Sequence, residues 1–363
     1  MMIHLLHDAG RPGFETPPGG SFGAEVEAIL EIVERWHAGQ EVFILHTSGS
    51  TGKPKAMRFS RNQLERSARQ TAHAFELEAG DAALLCLPVR YVAGFMMVIR
   101  ALHLGLHLYA EPSRREVAQQ ASPAVDFAAL LPMQLESSWE AADSWPPALA
   151  GAKAVLLGGA PIPKALSMRL REEAPAPVYH TYGMTETLTH VAVRRLDGQH
   201  QTDLFSALSG VRFSTDERAC LVVDNPVTEA PVVTNDRVKL LDGQHFQYLG
   251  RIDNVINSGG LKLQLEEVEA RCGAVLRASG WLKPGQAFFA FAAPDAELGQ
   301  RLELAMDCDG ESVAAANAEA IREILRQSMP RHHAPKTVHL LPVFRYTETG
   351  KIDRKGTIRL IEE

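Results

Sequence analysis

The sequence contains few cysteines and no clear signal for export. Its four cysteines, Cys86, Cys220, Cys272 and Cys308, are far apart and form no CxxC pair of the kind that binds a metal or exchanges disulfides. We therefore expect a reducing, cytoplasmic environment. The N-terminal segment MMIHLLHDAGRPG lacks both a basic leader and an apolar run long enough for a signal peptide, so we expect no export.

Positive charge is also scarce. There are 37 Lys and Arg residues against 44 Asp and Glu residues, which gives a net charge of -7. Such a chain has no general attraction for nucleic acid or anionic lipid, so we expect neither as a partner. The 14 histidines show no HExxH or cysteine-paired spacing, so we expect no zinc site.

Long uncharged apolar runs are missing as well. The most membrane-like stretch covers residues 91–109. Arg100, His103 and His107 interrupt it, so we predict a buried helix and strand and no membrane insertion.

Short apolar runs alternate with helical periodicity in the first half of the chain. Four runs read as strands, at residues 41–46, 82–88, 105–111 and 153–159. Ser60 followed by Gln63 forms a capping-box pattern ahead of a helix, and further helices are predicted from about Val92 and at Pro163. Repeated strand and helix units predict an α/β fold with a parallel sheet covered by helices.

The second half of the chain changes character twice. Residues 219–224, 230–236 and 245–250 read as strands of a β-rich subdomain. Beyond residues 250–260 the pattern indicates helices near 265–276 and 311–327 with short strands, which is typical of a compact α+β module. We therefore predict two domains, 1–250 and 251–363.

The loop TSGSTGKPK at residues 47–55 carries the first chemical signal. Small residues let backbone N–H groups approach a phosphate, and hydroxyls and lysines can bind its oxygens. The loop is not a Walker A motif, because Pro54 follows Lys53 where Ser or Thr is required. A flexible connection is the alternative interpretation of such a loop.

Five further motifs follow this loop in order. They are GGA at 158–160, YGMTE at 182–186, TND at 234–236, GRIDNVINSGG at 250–260 and TGKIDRK at 349–355. With these motifs the chain resembles the adenylate-forming superfamily of acyl-CoA synthetases, luciferases and peptide-synthetase adenylation domains. The resemblance implies a large N-terminal domain, a small mobile C-terminal domain and an active site between them.

The resemblance also implies a nucleotide site. Its residues would be Thr47, Ser48, Gly49, Ser50, Thr51, Gly52, Lys53, Lys55, Gly158, Gly159, Ala160, Tyr182, Gly183, Asp236 and Arg251. The Tyr182 ring would stack on adenine and Asp236 would bind the ribose hydroxyls. Taken alone, TND would be an ordinary Asx turn and an isolated Arg-x-Asp an ordinary surface pair.

The same resemblance implies the catalytic residues. Glu186 would be a ligand of Mg²⁺ on the triphosphate, and Thr185 would contact a phosphate oxygen. Lys351 would contact the substrate carboxylate and the α-phosphate as they react, and would stabilise their charge. Asp253 would be the hinge of the mobile domain. The channel for coenzyme A would be lined by Ser258, Gly259 and Gly260.

The chain is short for this superfamily, and its loop begins near residue 47, so we expect much of the usual N-terminal subdomain to be missing. In this it resembles the compact o-succinylbenzoate-CoA ligases of menaquinone biosynthesis. The expected reaction uses ATP and Mg²⁺ to convert an acid into an acyl-adenylate, from which CoA then takes the acyl group.

An acid with a second carboxylate needs a cation in an apolar pocket, because burying an unpaired carboxylate is costly. The candidate pocket residues are Arg90, Tyr91, His180 and Lys262. Two alternatives stay open at this point. One is a ligase for another aryl or medium-chain acid, and the other is a non-catalytic module that binds nucleotide or acyl groups.

Overall fold

The computed structural model describes residues 3–8, 11–15, 23–46, 55–118, 123–283, 286–308, 315–347 and 352–362. The chain divides into two compact units. The first contains Met1–Asp216, Leu221–Thr234 and Lys239–Gln247, and the second contains Glu217–Cys220, Asn235–Val238 and Tyr248–Glu363. The domain boundary at residue 250 and the hinge at Asp253 stay predictions.

A sheet of 13 strands forms the centre of the first unit. Its strands along the chain are β1 Ile3–Asp8, β2 Arg11–Glu15, β5 Ala82–Leu85, β6 His107–Ala110, β7 Phe127–Leu130, β8 Ala154–Leu157, β9 Val178–Gly183, β10 His190–Arg195, β11 Leu204–Ala207, β12 Arg212–Thr215, β13 Cys220–Asp224, β14 Val232–Leu240 and β15 His245–Arg251. Strands β13, β14 and β15 have residues in both units.

The central strands β6, β5, β7, β8 and β9 are parallel, as the repeated strand and helix units predicted. The strands that follow, β10, β11 and β15, continue the sheet in antiparallel pairs. The three strands predicted for the β-rich subdomain correspond to β13, β14 and β15, whereas β10 and β11 precede it.

One predicted strand lies elsewhere. Residues 41–46 contain β3 Val42–His46, but β3 pairs with β4 Ala56–Ser60 in a separate two-stranded antiparallel sheet. The sequence pattern missed β4, whose residues AMRFS combine one buried aromatic with polar neighbours. Nine residues, 47–55, separate the two strands, and 47–54 lie outside the described residues.

Helices cover both faces of the large sheet. They are α1 Gly23–His37, α2 Arg61–Phe75, α3 Val92–Leu104, α4 Pro132–Ala142 and α5 Lys164–Glu173. Because side chains alternate between the faces of a strand, Ala83 and Leu85 of β5 join the core under α2 and α3, while Leu84 joins the core under α4 and α5. The expected capping box starts α2, where the Ser60 backbone N–H donates to Gln63 Oε1 at 2.8 Å.

The second unit is an α+β module. Its five-stranded sheet contains β16 Val255–Ser258, β17 Leu261–Gln264, β18 Phe288–Asp295, β19 Gly299–Asp307 and β20 Thr337–Leu341, and its helices are α6 Leu265–Ala278, α7 Ala315–Ser328 and α8 Arg354–Glu362. Val268, Cys272 and Leu276 recur every fourth residue along α6 and are fully buried. Within the described residues, no helix has both the length and the apolar character needed to cross a membrane.

Candidate active site

The segment from Tyr182 to His190 forms a tight turn between two strands. It leaves β9 at Gly183, passes through a short 3-10 helix at Thr185–Thr187 and enters β10 at His190. The Met184 N–H donates to the Thr187 hydroxyl at 3.0 Å, and that hydroxyl donates to the Thr189 carbonyl at 2.8 Å. A Cβ on Gly183 would collide with the same carbonyl, so this turn requires glycine.

The predicted nucleotide residues of this turn differ in exposure. Tyr182 is buried, and its ring packs edge-on against Phe205 at 5.8 Å and Phe246 at 5.1 Å between centroids. Thr185 is buried and Glu186 is exposed. The turn therefore presents a carboxylate to solvent from a fixed backbone.

The Gly158–Ala160 turn follows the end of β8. A Cβ on Gly158 would lie 2.5 Å from the Thr181 hydroxyl, and Gly159 has a φ of +79°, which favours glycine. Gly159 and Ala160 are exposed. Their small side chains leave the backbone open to a flat ligand such as an adenine ring.

His180 connects this turn to a charged pair. Arg194 Nε donates to His180 Nδ1 at 3.2 Å, and Arg194 Nη1 lies 3.2 Å from Asp203 Oδ1. Burial lowers the pKa of His180 to about 3, the nearby Arg194 charge adds to this effect, and a backbone hydrogen bond with Ala160 opposes it. His180 is therefore neutral near pH 7 and cannot supply a cation for a second carboxylate.

Arg100 is a charged residue of the core that the sequence analysis did not assign to the site. It lies on α3, where it is 2% exposed, and burial lowers its pKa to about 10. Its Nε donates to the Thr71 hydroxyl at 3.1 Å and its Nη2 to the Thr189 hydroxyl at 3.0 Å. Among the described residues, no carboxylate pairs with it. The signal was present in the sequence, since Arg100 interrupts an otherwise apolar helix.

The predicted pocket cations lie elsewhere. Arg90 is exposed, and its guanidinium lies 5.2 Å from the centre of the Tyr91 ring, immediately before α3. Lys262 is exposed on β17 of the second unit. Arg90, Tyr91 and Lys262 stay predictions as pocket residues, but the cation buried in an apolar environment is Arg100.

Three predicted residues of the second unit form one charged network. Arg251 Nη1 lies 3.3 Å from Oδ1 of the buried Asp236, while its Nε and Nη2 donate to the two oxygens of Asp253 at 2.8 and 2.7 Å. The hydrogen bond to Asp253 raises the pKa of Arg251, and Arg251 lowers the pKa of Asp253. The structure thus brings together the predicted ribose-binding residues and the predicted hinge.

The predicted CoA-channel residues form the turn of a hairpin. Ser258 pairs with Leu261, and the two residues between them, Gly259 and Gly260, have φ values of +59° and +81°. Such a two-residue turn needs positive φ at both central positions, so glycine is the fitting residue. Both glycines are exposed.

Some predicted site residues lie outside the described residues. They are Lys351 and the loop residues Thr47, Ser48, Gly49, Ser50, Thr51, Gly52 and Lys53. Lys55, the remaining residue of that loop motif, is exposed and directly precedes β4.

A family model described as AMP-binding enzyme matches residues 10–249 of this chain. The chain belongs to the AMP-binding enzyme family. The 2-succinylbenzoate–CoA ligase of Escherichia coli strain K12 is 30% identical over 325 residues, which cover 83% of this chain and 67% of that protein. The probable 2-succinylbenzoate–CoA ligase of Mycobacterium tuberculosis strain H37Rv is 27% identical, with 96% and 94% covered.

Solved structures confirm the expected fold class of this AMP-binding enzyme. An acyl-CoA synthetase (AMP-forming)/AMP-acid ligase II-like protein from Dyadobacter fermentans has a TM-score of 0.60 and 37% identity, with 96% of each chain covered. A variant of Escherichia coli MenE with bound OSB-AMS has a TM-score of 0.67 and 26% identity, and the match covers 88% of this chain and 68% of that one.

The oxygen donors of this AMP-binding enzyme suit magnesium. Among the described residues there is no group of three or more His, Cys, Asp or Glu side chains that could hold a metal ion. Mg²⁺ does not require such a group, because it is usually bound by one or two carboxylates together with water and substrate phosphates. The exposed carboxylate of Glu186 meets that requirement.

Proposed function

We propose that this AMP-binding enzyme is an acid-CoA ligase that uses ATP and Mg²⁺, and that its acid is o-succinylbenzoate. In the first step a carboxylate oxygen attacks the α-phosphorus of ATP, and the bond to pyrophosphate breaks. In the second step the CoA thiol loses its proton, its sulfur attacks the acyl carbon, and AMP leaves. The product is the acyl-CoA.

The observation that carries the choice of acid is Arg100. A guanidinium has five N–H groups, and here three have partners: Thr71, Thr189 and the Met97 sulfur at 3.6 Å. In the described residues this leaves one N–H on each terminal nitrogen without an acceptor. A carboxylate accepts two parallel N–H bonds from an arginine in this arrangement. A second carboxylate on the substrate would therefore satisfy a buried cation that has no counter-ion among the described residues.

The position of Arg100 supports the same choice. Its partner Thr189 lies three residues after Glu186, in the turn that carries the predicted magnesium ligand. A bound acid could thus reach Arg100 with one carboxylate while the other lies near the nucleotide. The names of the relatives, 2-succinylbenzoate–CoA ligases, agree with an aromatic acid that carries two carboxylates.

The remaining roles follow the family resemblance and are part of the proposal. Glu186 binds Mg²⁺ and Thr185 a phosphate oxygen. Lys351 stabilises the negative charge that two approaching anions concentrate at the reacting centre. Gly158, Gly159 and Ala160 line the adenine, and Asp236 accepts hydrogen bonds from the ribose. Ser258, Gly259 and Gly260 line the path of CoA, and the cytoplasmic location expected from the cysteines belongs to the same proposal.

The test is pyrophosphate release from ATP with a panel of acids, measured with and without CoA. The panel contains o-succinylbenzoate, its analogue with the side-chain carboxylate replaced by an amide, benzoate and a medium-chain acid. We expect release with o-succinylbenzoate and formation of its CoA ester. Turnover of benzoate or the medium-chain acid alone would replace o-succinylbenzoate by another substrate, and no release with any acid would overturn the proposal of an active ligase.

The Arg100→Met variant tests the role of the buried cation. We expect KM for o-succinylbenzoate to rise about thirtyfold or more, on the scale of a lost charged hydrogen-bond pair, with little change for an acid that has one carboxylate. The matched control is Arg66→Met, which removes an exposed arginine from α2. If Arg100→Met folds and leaves KM for o-succinylbenzoate unchanged, Arg100 does not bind the substrate.

A further inference from the structure

Arg100 and three other side chains form a closed hydrogen-bonded ring. The Thr71 hydroxyl lies 3.1 Å from Arg100 Nε and 3.4 Å from His190 Nε2. The Thr189 hydroxyl lies 3.0 Å from Arg100 Nη2 and 3.0 Å from His190 Nδ1. Each threonine therefore connects the guanidinium to the imidazole, and all four residues belong to the first unit.

The hydrogen atoms of this ring can be assigned by counting donors and acceptors. Thr189 Oγ1 accepts from Arg100 and from the His190 backbone N–H, which uses both of its lone pairs. Its own hydrogen must therefore point to His190 Nδ1. Thr71 donates to the Ser67 carbonyl at 3.1 Å, so it accepts from both Arg100 and His190 Nε2. The ring closes only if His190 is neutral and carries its hydrogen on Nε2.

A proton added to Nδ1 would meet two obstacles. The only acceptor facing Nδ1 in the described residues is Thr189 Oγ1, whose lone pairs are already used. Burial holds the pKa of His190 well below 6.5, and the charge of Arg100, the second obstacle, lowers it further. The other elements that pack on the ring contribute Thr71 and the Phe75 ring from α2, with no carboxylate among the described contacts.

A carboxylate on Arg100 acts on the second obstacle. It neutralises the positive charge that faces the imidazole. Binding of the anion and protonation of His190 thus favour one another, and this coupling is reciprocal.

We propose that His190 is a specificity-determining residue that links binding of the second substrate carboxylate to the uptake of one proton. This inference rests on the proposed function, because it needs a dianionic acid seated on Arg100. The sign of the effect follows from linkage. If the bound complex holds a proton more readily than the free protein, the affinity for the dianion increases as pH falls.

The first test is the pH dependence of KM in the pyrophosphate-release assay. KM for o-succinylbenzoate should be lower at pH 6 than at pH 8, by at most about fourfold, the limit that a full return of the His190 pKa to 6.5 would give. KM for the amide analogue should not change with pH in this way. We expect His190→Asn to remove the pH dependence of KM, because an amide can still accept from Thr189 and does not titrate.

The matched control is His73→Asn, which removes an exposed histidine from α2 and should keep the wild-type pH profile. A second measurement, an NMR titration, does not depend on enzymatic activity. In protein with ¹³C-labelled histidine, the His190 ring signal, assigned by its loss in His190→Asn, is titrated with and without o-succinylbenzoate. We expect the His190 ring to titrate at a higher pH in the complex than in the free protein, where its pKa lies well below 6.5.

The outcomes separate the two proposals. If o-succinylbenzoate is not activated at all, the proposed substrate is wrong. If it is activated in an Arg100-dependent manner, but KM has the same pH profile in wild type and His190→Asn, or the His190 signal is unchanged by the acid, the proton linkage is wrong and the substrate assignment stands.

Discussion

Gly183 shows how a single missing side chain fixes the turn next to Glu186. A Cβ at this position would collide with the backbone of Thr189 and His190, and backbone cannot rotate away as a side chain can. We expect Gly183→Ala to lower the free energy of unfolding by about 1–3 kcal/mol, the usual cost of forced overpacking. Urea unfolding followed by circular dichroism measures this change.

The control for this prediction is Gly151→Ala. A Cβ on Gly151 would meet no atom within 4 Å, and the position is exposed. The same loss of chain entropy in the unfolded state applies to both substitutions, so the difference between them isolates the steric effect. Equal stability of the two variants would contradict the requirement for glycine at 183.

Lys351 carries the prediction that bears most directly on the chemistry. Attack of a carboxylate on ATP brings two anions together, so an aimed ammonium lowers the barrier more than it stabilises the separated reactants. We expect Lys351→Ala to slow pyrophosphate release about a hundredfold or more, the scale of other electrostatic contacts in transition states. Transfer to CoA from preformed acyl-adenylate should be affected much less.

The control for Lys351→Ala is Lys336→Ala, at an exposed position of the second unit. Unchanged pyrophosphate release in Lys351→Ala would refute the role.

At the scale of elements, a half-buried ion pair connects two helices of the second unit. Arg354 on α8 lies 2.9 Å from Glu269 on α6, and the Ala290 N–H donates to the same carboxylate at 2.9 Å. Burial raises the pKa of Glu269, while Arg354 opposes this rise. We expect Arg354→Met to destabilise the unit by about 1–2 kcal/mol, between the values for exposed and buried pairs, because it leaves a half-buried carboxylate without its counter-ion.

The contrast with a surface pair tests this prediction. Arg326 bonds to Glu323 within α7, and such exposed pairs contribute between zero and about 1 kcal/mol. Arg326→Met should therefore change urea unfolding little. We also expect Glu269→Gln to be milder than Arg354→Met, since it removes the charge that needs a partner. The reverse order would show that packing of the arginine, not the charge, stabilises α8.

The elements of this chain were predictable where burial follows a regular pattern. The strands β5, β6 and β8 and the helices α2, α3 and α6 lie where apolar periodicity indicated them. Strand β4 was missed because it is short and half polar, and its pairing with β3 depends on contacts across a loop. Arg100 was missed for a related reason. Its helix pattern indicates burial, but only the fold reveals that Thr71 and Thr189, far apart in sequence, are its partners.

At the scale of the whole molecule, lowering the pH should reduce the free energy of unfolding of the first unit, because this unit holds two histidines in the neutral form. The pKa of His180 is about 3 in the folded protein and 6.5 in an unfolded chain. Between pH 6.5 and pH 3, His180 therefore binds a proton in the unfolded chain but stays neutral in the folded protein. The stabilising contribution is complete above pH 6.5 and is lost progressively as pH falls toward 3.

We expect wild-type protein to lose up to about 1.4 kcal/mol of unfolding free energy per pH unit through His180 between pH 6 and 4, an upper limit because the side chain is only partly buried. The single variants His180→Asn and His190→Asn should each lose less stability per pH unit than the wild type, since His190 is held neutral in the same way as His180. The measurement is urea unfolding at pH 7, 6, 5 and 4, with the exposed His200→Asn as control. If all four proteins show one slope, protonation of these histidines does not limit the acid stability of the fold, and the neutral ring around Arg100 loses its thermodynamic support.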